Sequence, residues 1–415
     1  MGKPKIRFEG YSEDWEQRKL SDYLSVSGQK NRDEKYDKED VLSVSGDYGI
    51  VNQIEFQGRS FAGASVTNYG VVETNDVVYT KSPLKANPYG IIKSNKGKPG
   101  IVSTLYAVYH PNDITDSEFV QVYFEQDARM NSYMHPLVNK GAKNDMKVSA
   151  ENALKGEVIF PKLDEQRQIS DYFRRLDTII TLHQRKCDEI KTLKKYMLQK
   201  MFSQNGEKVP EIRFNGFTED WEQRKLGEVL KLENGYAFKS QFFSDNETNI
   251  IVATPGNVSV DGGFIEEGGK YYKIDGEIPD AYIFHPGDLF VTMTDLTPTA
   301  NTLGKPATVP DNGVMYLHNQ RLGKLIGFEG DKAFLYSLLC TSEYHNYMVV
   351  TASGSTVRHS SPGRILEYEI AIPGLDEQIK IGKYFSNLDH LITLHQRKCD
   401  ELQSIKKFML QNMFI

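Results

Sequence analysis

The chain has 415 residues, a formal net charge of −6, 39% hydrophobic and 26% charged residues, which is ordinary for a water-soluble protein of two or three domains. No apolar run approaches the roughly 18 residues of a membrane-spanning helix, and the first ten residues lack the apolar segment of a signal peptide. The acidic balance argues against uniform nucleic-acid binding, and three cysteines form no disulfide framework, so a cytoplasmic protein is expected.

The chain opens with a Trp-containing segment that occurs twice, at residues 6–24 and again at residues 212–230. Such a repeat fixes the organisation of a chain before any local structure is predicted. Large aromatic side chains mostly pack in cores. We therefore expect Trp15 and Trp221 to anchor the domain that follows each copy.

The first variable region, residues 22–160, alternates short apolar runs with Gly, Asn, Asp and Pro, which is typical of a β-rich α+β domain. Its segments 81–100 and 131–147 are rich in lysine, glycine and asparagine. A lysine run ordinarily marks a solvated face, but two such loops in an acidic chain favour DNA contact. The lysines are Lys81, Lys85, Lys93, Lys96, Lys98, Lys140, Lys143 and Lys147, of which we predict Lys81, Lys93, Lys96, Lys98 and Lys143 as DNA contacts.

A long helix is predicted over residues 163–202, and it recurs at residues 375–414 with 26 of 40 positions identical. Apolar or small residues recur in each copy with a period near 3.5, which keeps one narrow seam facing a partner helix. The seam of the first copy continues to Leu193 and that of the second to Ile405. Its principal members are Ile169, Phe173, Leu176, Ile180, His183, Cys187 and Ile190, and then Ile381, Phe385, Leu388, Ile392, His395, Cys399 and Leu402.

The two helices are expected to pair with each other in antiparallel orientation, because this sets the acidic start of one against the lysine-rich end of the other. A centred register places His183 opposite His395, Cys187 opposite Leu391 and Cys399 opposite Ile179. The two His–Cys pairs also fit a His₂Cys₂ zinc site between the helices. Seam packing, with a buried thiol acting as a small apolar group, is the simpler interpretation, and no metal site is predicted.

The second variable region follows the polar linker 203–211 and extends to Ile372. Three of its polar stretches contain no acid: residues 296–306, 317–324 and 351–364. Arg, Asn and Gln read guanine and adenine edges in the major groove, and Ser suits phosphate. The predicted DNA contacts here are Asn301, Asn319, Gln320, Arg321, Ser355, Arg358 and His359.

Signatures of catalysis are missing from the sequence. There is no (D/N/S)-P-P-(Y/F) tetrapeptide of an amino-methyltransferase, no G-x-x-x-x-G-K-(S/T), no H-E-x-x-H and no G-x-S-x-G. Nothing in the sequence therefore marks a nucleophile or a nucleotide-binding fold.

Two dissimilar regions alternating with two near-identical helices resemble the specificity (S) subunit of type I restriction–modification enzymes. The resemblance covers essentially the whole chain. It is most specific at the two P-x-L-D-E-Q segments, 161–166 and 373–378, and it extends to Gly235–Ser240, Pro286–Leu289 and Ser353–Ser355. The first of these three adds Lys239 to the predicted DNA contacts. The first region keeps Asn75–Val78 but lacks a clear G-x-x-F-x-S.

This resemblance implies two target recognition domains, at 1–160 and 204–372, and two spacer helices, at 161–203 and 373–415. Each domain is expected to read one half of a split site in double-stranded DNA. The helices are expected to dock two modification subunits, which carry S-adenosylmethionine, while separate restriction subunits use ATP and Mg. The resemblance also implies that this chain is not itself an enzyme and binds no cofactor. A coiled-coil scaffold that never touches DNA, and a self-contained methyltransferase or nuclease, are the alternative functions.

Overall fold

The computed structural model describes residues 2–81, 87–138, 148–204 and 206–415. Lys85, Lys140, Lys143 and Lys147 lie outside the described residues. The chain divides into two compact units, of which unit 1 comprises residues 1–184 and 397–415 and unit 2 comprises residues 185–396. Each unit is described below by itself.

Unit 1 is a β-rich domain with short helices. Its strands are β1 Glu16–Lys19, β2 Leu24–Val26, β3 Leu42–Ser45, β4 Gly49–Asn52, β5 Gly70–Val72, β6 Val77–Thr80, β7 Ile92–Ser94, β8 Gly100–Val102, β9 Tyr106–Pro111 and β10 Glu157–Phe160. Its short helices are α1 Gln53–Gln57, α2 Ser117–Tyr123, α3 Asp127–Met134 and α4 Ala150–Ala153. The long helix α5, Leu163–Lys200, begins in this unit.

A four-stranded antiparallel sheet in the order β2-β9-β6-β7 forms the centre of unit 1. Its central strand β6 reads Val-Val-Tyr-Thr and is fully buried, as expected for β-branched and aromatic residues covered on both faces. The opening segment supplies β1, which pairs with β10, so the start and end of the domain are joined.

Unit 2 has the same character. Its strands are β11 Glu222–Lys225, β12 Lys231–Asn234, β13 Ile250–Ala253, β14 Lys270–Tyr271, β15 Leu289–Thr292, β16 Thr294–Asp295, β17 Pro306–Thr308, β18 Met315–His318, β19 Leu322–Ile326, β20 Arg358–His359 and β21 Glu369–Ile372. Its short helices are α6 Leu226–Val229, α7 Lys332–Leu339, α8 Ser342–Thr351 and α9 Pro362–Leu366, and the long helix α10, Leu375–Asn412, begins here.

The two units share one topology although their sequences hardly correspond. The central sheet of unit 2 has the order β12-β19-β15-β17, which matches β2-β9-β6-β7 strand for strand, and β11 pairs with β21 as β1 pairs with β10. The predicted fold class, two α+β domains with two long helices, is therefore confirmed.

The two long helices run antiparallel in each unit. In unit 1, Cys399 Sγ lies 3.7 Å from the carbonyl oxygen of Ile180. In unit 2, Cys187 Sγ lies 3.9 Å from the carbonyl oxygen of Ile392. The predicted opposites were Ile179 and Leu391, so each contact is one residue from the centred register.

The seam differs from the prediction at one position of each helix. The predicted principal seam residues are buried or half-buried, but Leu193 and Ile405 are 44% and 38% exposed. Lys194 and Lys406 take the seam instead, because each ammonium finds an aspartate on the facing helix: Lys194 binds Asp389 and Lys406 binds Asp177, both at 2.6 Å. Ion pairing of this kind permits a charged group at a largely buried position.

Both predicted tryptophan anchors are confirmed. Trp15 is 1% exposed and packs against Phe119 and Phe414, and Trp221 is 2% exposed and packs against Phe334 and Phe202. Phe414 ends the second long helix region and Phe202 the first. The aromatic core of unit 1 therefore includes the C-terminal end of the second long-helix region. The aromatic core of unit 2 includes the C-terminal end of the first.

Candidate nucleic-acid interface

Asn319, Gln320 and Arg321 form a tight turn between β18 and β19, closed by the Leu322 amide donating to the Asn319 carbonyl at 3.0 Å. Asn319 Oδ1 also accepts from the Arg321 amide at 3.0 Å, which leaves the Gln320 and Arg321 side chains exposed. The turn lies against Gly235, where a Cβ atom would come within 2.2 Å of the Asn319 carbonyl oxygen. Glycine at position 235 is thus required by close backbone approach.

A second loop, residues 295–302, is organised by the buried carboxylate of Asp295, and we refer to it as the Asp295 loop. This carboxylate accepts from the amide and hydroxyl of Thr297 at 2.7 and 2.6 Å, and from those of Thr302 at 2.7 Å each. Burial by itself raises the pKa of Asp295, but the hydrogen bonds outweigh it and hold the pKa below its ordinary value. Asn301 lies exposed on this loop.

The third predicted stretch folds back through β20, which pairs with β16 so that Arg358 lies opposite Asp295 and His359 opposite Thr294. His359 is exposed and its Nδ1 lies 3.1 Å from Thr294 Oγ1. Ser355 is exposed at the bend. Arg358 is half-buried, with Nη2 donating to the Val349 carbonyl at 2.7 Å, so part of its guanidinium serves to hold the loop.

The three stretches meet around Met293. Its amide donates to the Arg321 carbonyl at 2.8 Å, and its carbonyl accepts from the Ser360 amide at 2.9 Å. The 319–322 turn and the 353–360 segment are therefore attached to the two sides of the short connection that leads into the Asp295 loop. Three segments that are distant in sequence are thus joined at one place in unit 2.

Lys239 lies in the segment that follows Gly235 and is exposed, and its Nζ binds Glu277 at 2.7 Å. An exposed pair of this kind is weak. The Lys239 ammonium can therefore exchange Glu277 for a phosphate at little cost.

In unit 1, Lys96 and Lys98 are exposed on a loop held by Asn95, whose amide nitrogen donates to the carbonyls of Glu73 and Lys98. Lys96 Nζ lies 3.3 Å from Glu118. Lys81 is half-buried; burial lowers the pKa of its ammonium, and the neighbouring charge of Lys30 lowers it further. Two ammonium groups close enough to repel are a favourable place for a phosphate.

Lys93 is a correction to the predicted DNA contacts. It lies in β7, is 7% exposed, and burial lowers the pKa of its ammonium, with Glu125 opposing this effect. A buried ammonium offers nothing to a phosphate at the surface, so Lys93 is removed from the candidate interface.

The two units share a turn at Asn75–Val78 and Pro286–Leu289, the segments that the sequence resemblance picked out. Asn75 and Gly287 both have left-handed backbones, with φ of 72° and 83°, and each precedes an aspartate that accepts a backbone hydrogen bond from three residues earlier. Asp76 Oδ2 accepts from the Glu73 amide at 2.7 Å, and Asp288 Oδ2 accepts from the His285 amide at 2.8 Å. Asparagine tolerates the left-handed region better than most residues, which is the signal that could have matched the two turns.

The roles of the Glu and Gln in the two D-E-Q segments were also missed. Glu165 accepts both hydrogen bonds of a bidentate pair with Arg7 at 2.7 and 2.8 Å, and Glu377 does the same with Arg213. Gln166 accepts from the amide of Asp116, the N-cap of α2, and Gln378 accepts from the amide of Asp331, the N-cap of α7. These contacts attach each domain to its long helix, and the recurrence of Arg in both opening segments was the signal.

Cys187 and Cys399, the thiols considered for a zinc site, lie against backbone carbonyls, as given above. Cys187 Sγ also lies 3.9 Å from Gln396 Oε1. Across the described ranges, His, Cys, Asp and Glu side chains nowhere gather in the groups of three or more that could hold a metal ion. In the same ranges no helix is both long and apolar enough to cross a membrane.

Two units of one topology, with different loop sequences and nearly identical helices, define a protein with two recognition domains. The chain matches the family described as the type I restriction modification DNA specificity domain over residues 12–192 and again over residues 218–404. It therefore belongs to this family, and it is a type I restriction–modification specificity subunit with two recognition domains.

Two specificity subunits and one solved structure are similar to this chain. The type I restriction enzyme MjaVIII specificity subunit of Methanocaldococcus jannaschii is 22% identical over 412 residues, which cover 95% of this chain and 91% of the relative. The EcoBI specificity subunit of Escherichia coli is 24% identical over 216 residues, covering 50% of this chain and 41% of that one. The crystal structure of the S subunit from M. genitalium superposes with a TM-score of 0.61 at 13% identity, covering 100% of this chain and 99% of that chain, and shows the likeness of fold.

Proposed function

We propose that this subunit reads a bipartite site in double-stranded DNA, one half with each domain, and has no catalytic activity of its own. The observation that carries the proposal is that the two domains keep one strand order while their surface loops differ in sequence. Such a pair of scaffolds suits two different DNA half-sites. In unit 2 the contacts are assigned to Asn301, Asn319, Gln320, Arg321, Ser355 and His359 with Lys239; in unit 1 they are assigned to Lys81, Lys96 and Lys98. Arg358, predicted from the sequence as a contact, is left out because its guanidinium binds the Val349 carbonyl and holds the loop.

A second surface, formed by exposed apolar residues on the long helices, is repeated in both units and supports the proposed partner subunits. In unit 1, Ile179, Leu182, Ile405 and Phe408 are 43%, 64%, 38% and 55% exposed. In unit 2, Leu193, Tyr196, Leu391 and Leu394 are 44%, 49%, 39% and 53% exposed. Six of these residues lie one position before a seam residue already described. Tyr196 and Phe408 lie one position before Met197 and Met409, which are half-buried and continue the seam. In an antiparallel pair that position lies on the same side of both helices, so each unit presents one apolar patch.

Exposed apolar patches mark sites of association, and two equivalent patches suit two copies of one partner. We assign them to two modification subunits. Those subunits would carry S-adenosylmethionine and the adenine methyltransferase activity, and restriction subunits would use ATP and Mg. The assembly would act in the cytoplasm.

The proposal is tested by expressing the chain with a matching modification subunit and sequencing the methylated positions of the host genome. A single bipartite motif that is absent without this chain is the expected result. Methylation independent of the chain would contradict it. DNA methylation or cleavage by the chain alone would favour a self-contained enzyme, and failure to bind DNA with or without the partner would favour a scaffold.

The exposed Arg321 provides a direct test of base recognition. Arg321→Ala is expected to weaken binding by about 1–3 kcal/mol if the guanidinium binds a base edge bidentately, and to relax one position of the half-site read by unit 2. Duplex binding at fixed salt and the methylated motif measure the two effects. Arg358→Ala serves as the comparison, because its guanidinium binds Val349 and its loss should disturb the loop as a whole. Unchanged affinity and motif in Arg321→Ala would remove this residue from the interface.

The docking patch of unit 1 is tested with Leu182→Asp and Phe408→Asp. A charge in the centre of an apolar interface costs about 2 kcal/mol or more, so the affinity for the modification subunit should fall roughly 30-fold. Thr178→Asp is the control, because Thr178 is exposed on the same helix but does not lie in the patch. Titration of labelled modification subunit measures the affinity. Equal affinity for all variants would place the partner elsewhere.

A further inference from the structure

A large, exposed apolar side chain lies on one of the three polar stretches assigned to DNA. Leu296 begins the exposed part of the Asp295 loop and is 60% exposed. Single exposed leucines are common on proteins and need no explanation. Leu296 differs from those because of how its loop is held and what surrounds it.

The Asp295 loop is held together by a closed set of hydrogen bonds. Asp295 is 3% exposed, and its carboxylate accepts four hydrogen bonds from the loop's own threonines. Ala300 adopts a left-handed backbone with φ of 52°, which costs free energy for a residue with a side chain. Burying a carboxylate and straining a backbone to fix one loop is understandable if the loop must present Leu296 in one position.

The strand that leads into Leu296 is bordered by polar residues suited to base edges. Asp295, the residue before Leu296, lies opposite Arg358 in the β16–β20 backbone ladder, and His359 Nδ1 lies 3.1 Å from Thr294 Oγ1. A second exposed apolar residue adjoins the same strand: Val350 is 82% exposed, and its neighbour Val349 accepts from Arg358. Apolar side chains among hydrogen-bonding ones match the major groove, where thymine alone presents a methyl group.

We propose that Leu296 is a specificity-determining residue that packs against the C5 methyl group of a thymine in the half-site read by unit 2. The inference rests on the proposed function. It adds an apolar contact to the hydrogen bonds expected from Gln320, Arg321 and His359. Removing the thymine methyl group and shortening the leucine should therefore weaken DNA binding equally. The two changes together should weaken binding no more than either change alone.

The experiment uses the full chain with its modification subunit and duplexes carrying the site found by methylation sequencing. Each thymine of the site is replaced in turn by deoxyuridine, which removes only the methyl group. For the unsubstituted chain, one deoxyuridine in the second half-site should weaken binding about fourfold, the effect of one buried methyl-sized group. Leu296→Ala should bind the thymine duplex equally weakly and show no further loss with that deoxyuridine, whereas Leu296→Met should restore the methyl dependence.

Ile274→Ala is the matched control, because Ile274 is 82% exposed in the same unit outside these loops; it should leave every deoxyuridine effect unchanged. If specific binding persists but each deoxyuridine weakens binding equally for the unsubstituted chain and for Leu296→Ala, the inference is overturned. A second half-site without thymine would also overturn it. Failure of the unsubstituted complex to bind any specific duplex would instead overturn the proposed function.

Discussion

Replacing residues 22–156 by the matching region of a relative is expected to change one half of the recognised DNA site and leave the other half unaltered. Each unit has its own core and its own surface loops, so a new domain in unit 1 leaves the loops around Met293 untouched. Sequencing of methylated DNA measures the result. A change in both halves would contradict two independent recognition domains.

The structure decides where this exchange must end. The sequence places the joint at residue 160, but β10, Glu157–Phe160, pairs with β1 of the opening segment over four residues. Retaining β10 keeps this strand pairing. An exchange of 22–160 is the matched comparison, and it should give less folded protein when the donor's strand does not fit β1.

Glu165→Ala is expected to destabilise unit 1 by about 3–5 kcal/mol, because it leaves a largely buried guanidinium without its partner. The side chains of Arg7 and Glu165 are 12% and 2% exposed, and Trp15 Nε1 also donates to Glu165 at 3.3 Å. For a unit of this size the lower bound corresponds to a fall of roughly 6–12 °C in its unfolding midpoint. Glu377→Ala should do the same to unit 2 through Arg213.

Thermal unfolding followed by calorimetry separates these effects. Glu16→Ala is the control, since its pair with Arg18 is exposed on both sides and should leave the midpoint nearly unchanged. Arg7→Leu together with Glu165→Leu should recover part of the stability, because replacing both buried charges removes the unpaired group. A midpoint for Glu165→Ala equal to that of the control would show that this buried pair does not hold the domain to its helix.

The sequence by itself determined the organisation of the chain. The repeat of residues 163–202 at 375–414, the 3.5-residue period and the two copies of the Trp-containing opening segment predicted two domains and two paired helices. These features are local or periodic, so they can be read without knowing which distant residues meet. For the same reason the resemblance to a specificity subunit could be recognised before the fold was known.

Only the tertiary structure decided which side of each pattern is buried. Leu193 and Lys194 are adjacent, and a period of 3.5 fits either of them; Asp389 on the facing helix selects the lysine by pairing with it. Lys93 and Lys96 look alike in sequence, but one lies in a central sheet and the other on a loop. The meeting of three distant stretches around Met293 depends on backbone hydrogen bonds across the domain. Because such partners are distant in sequence and follow no period, they become visible only when the chain has folded.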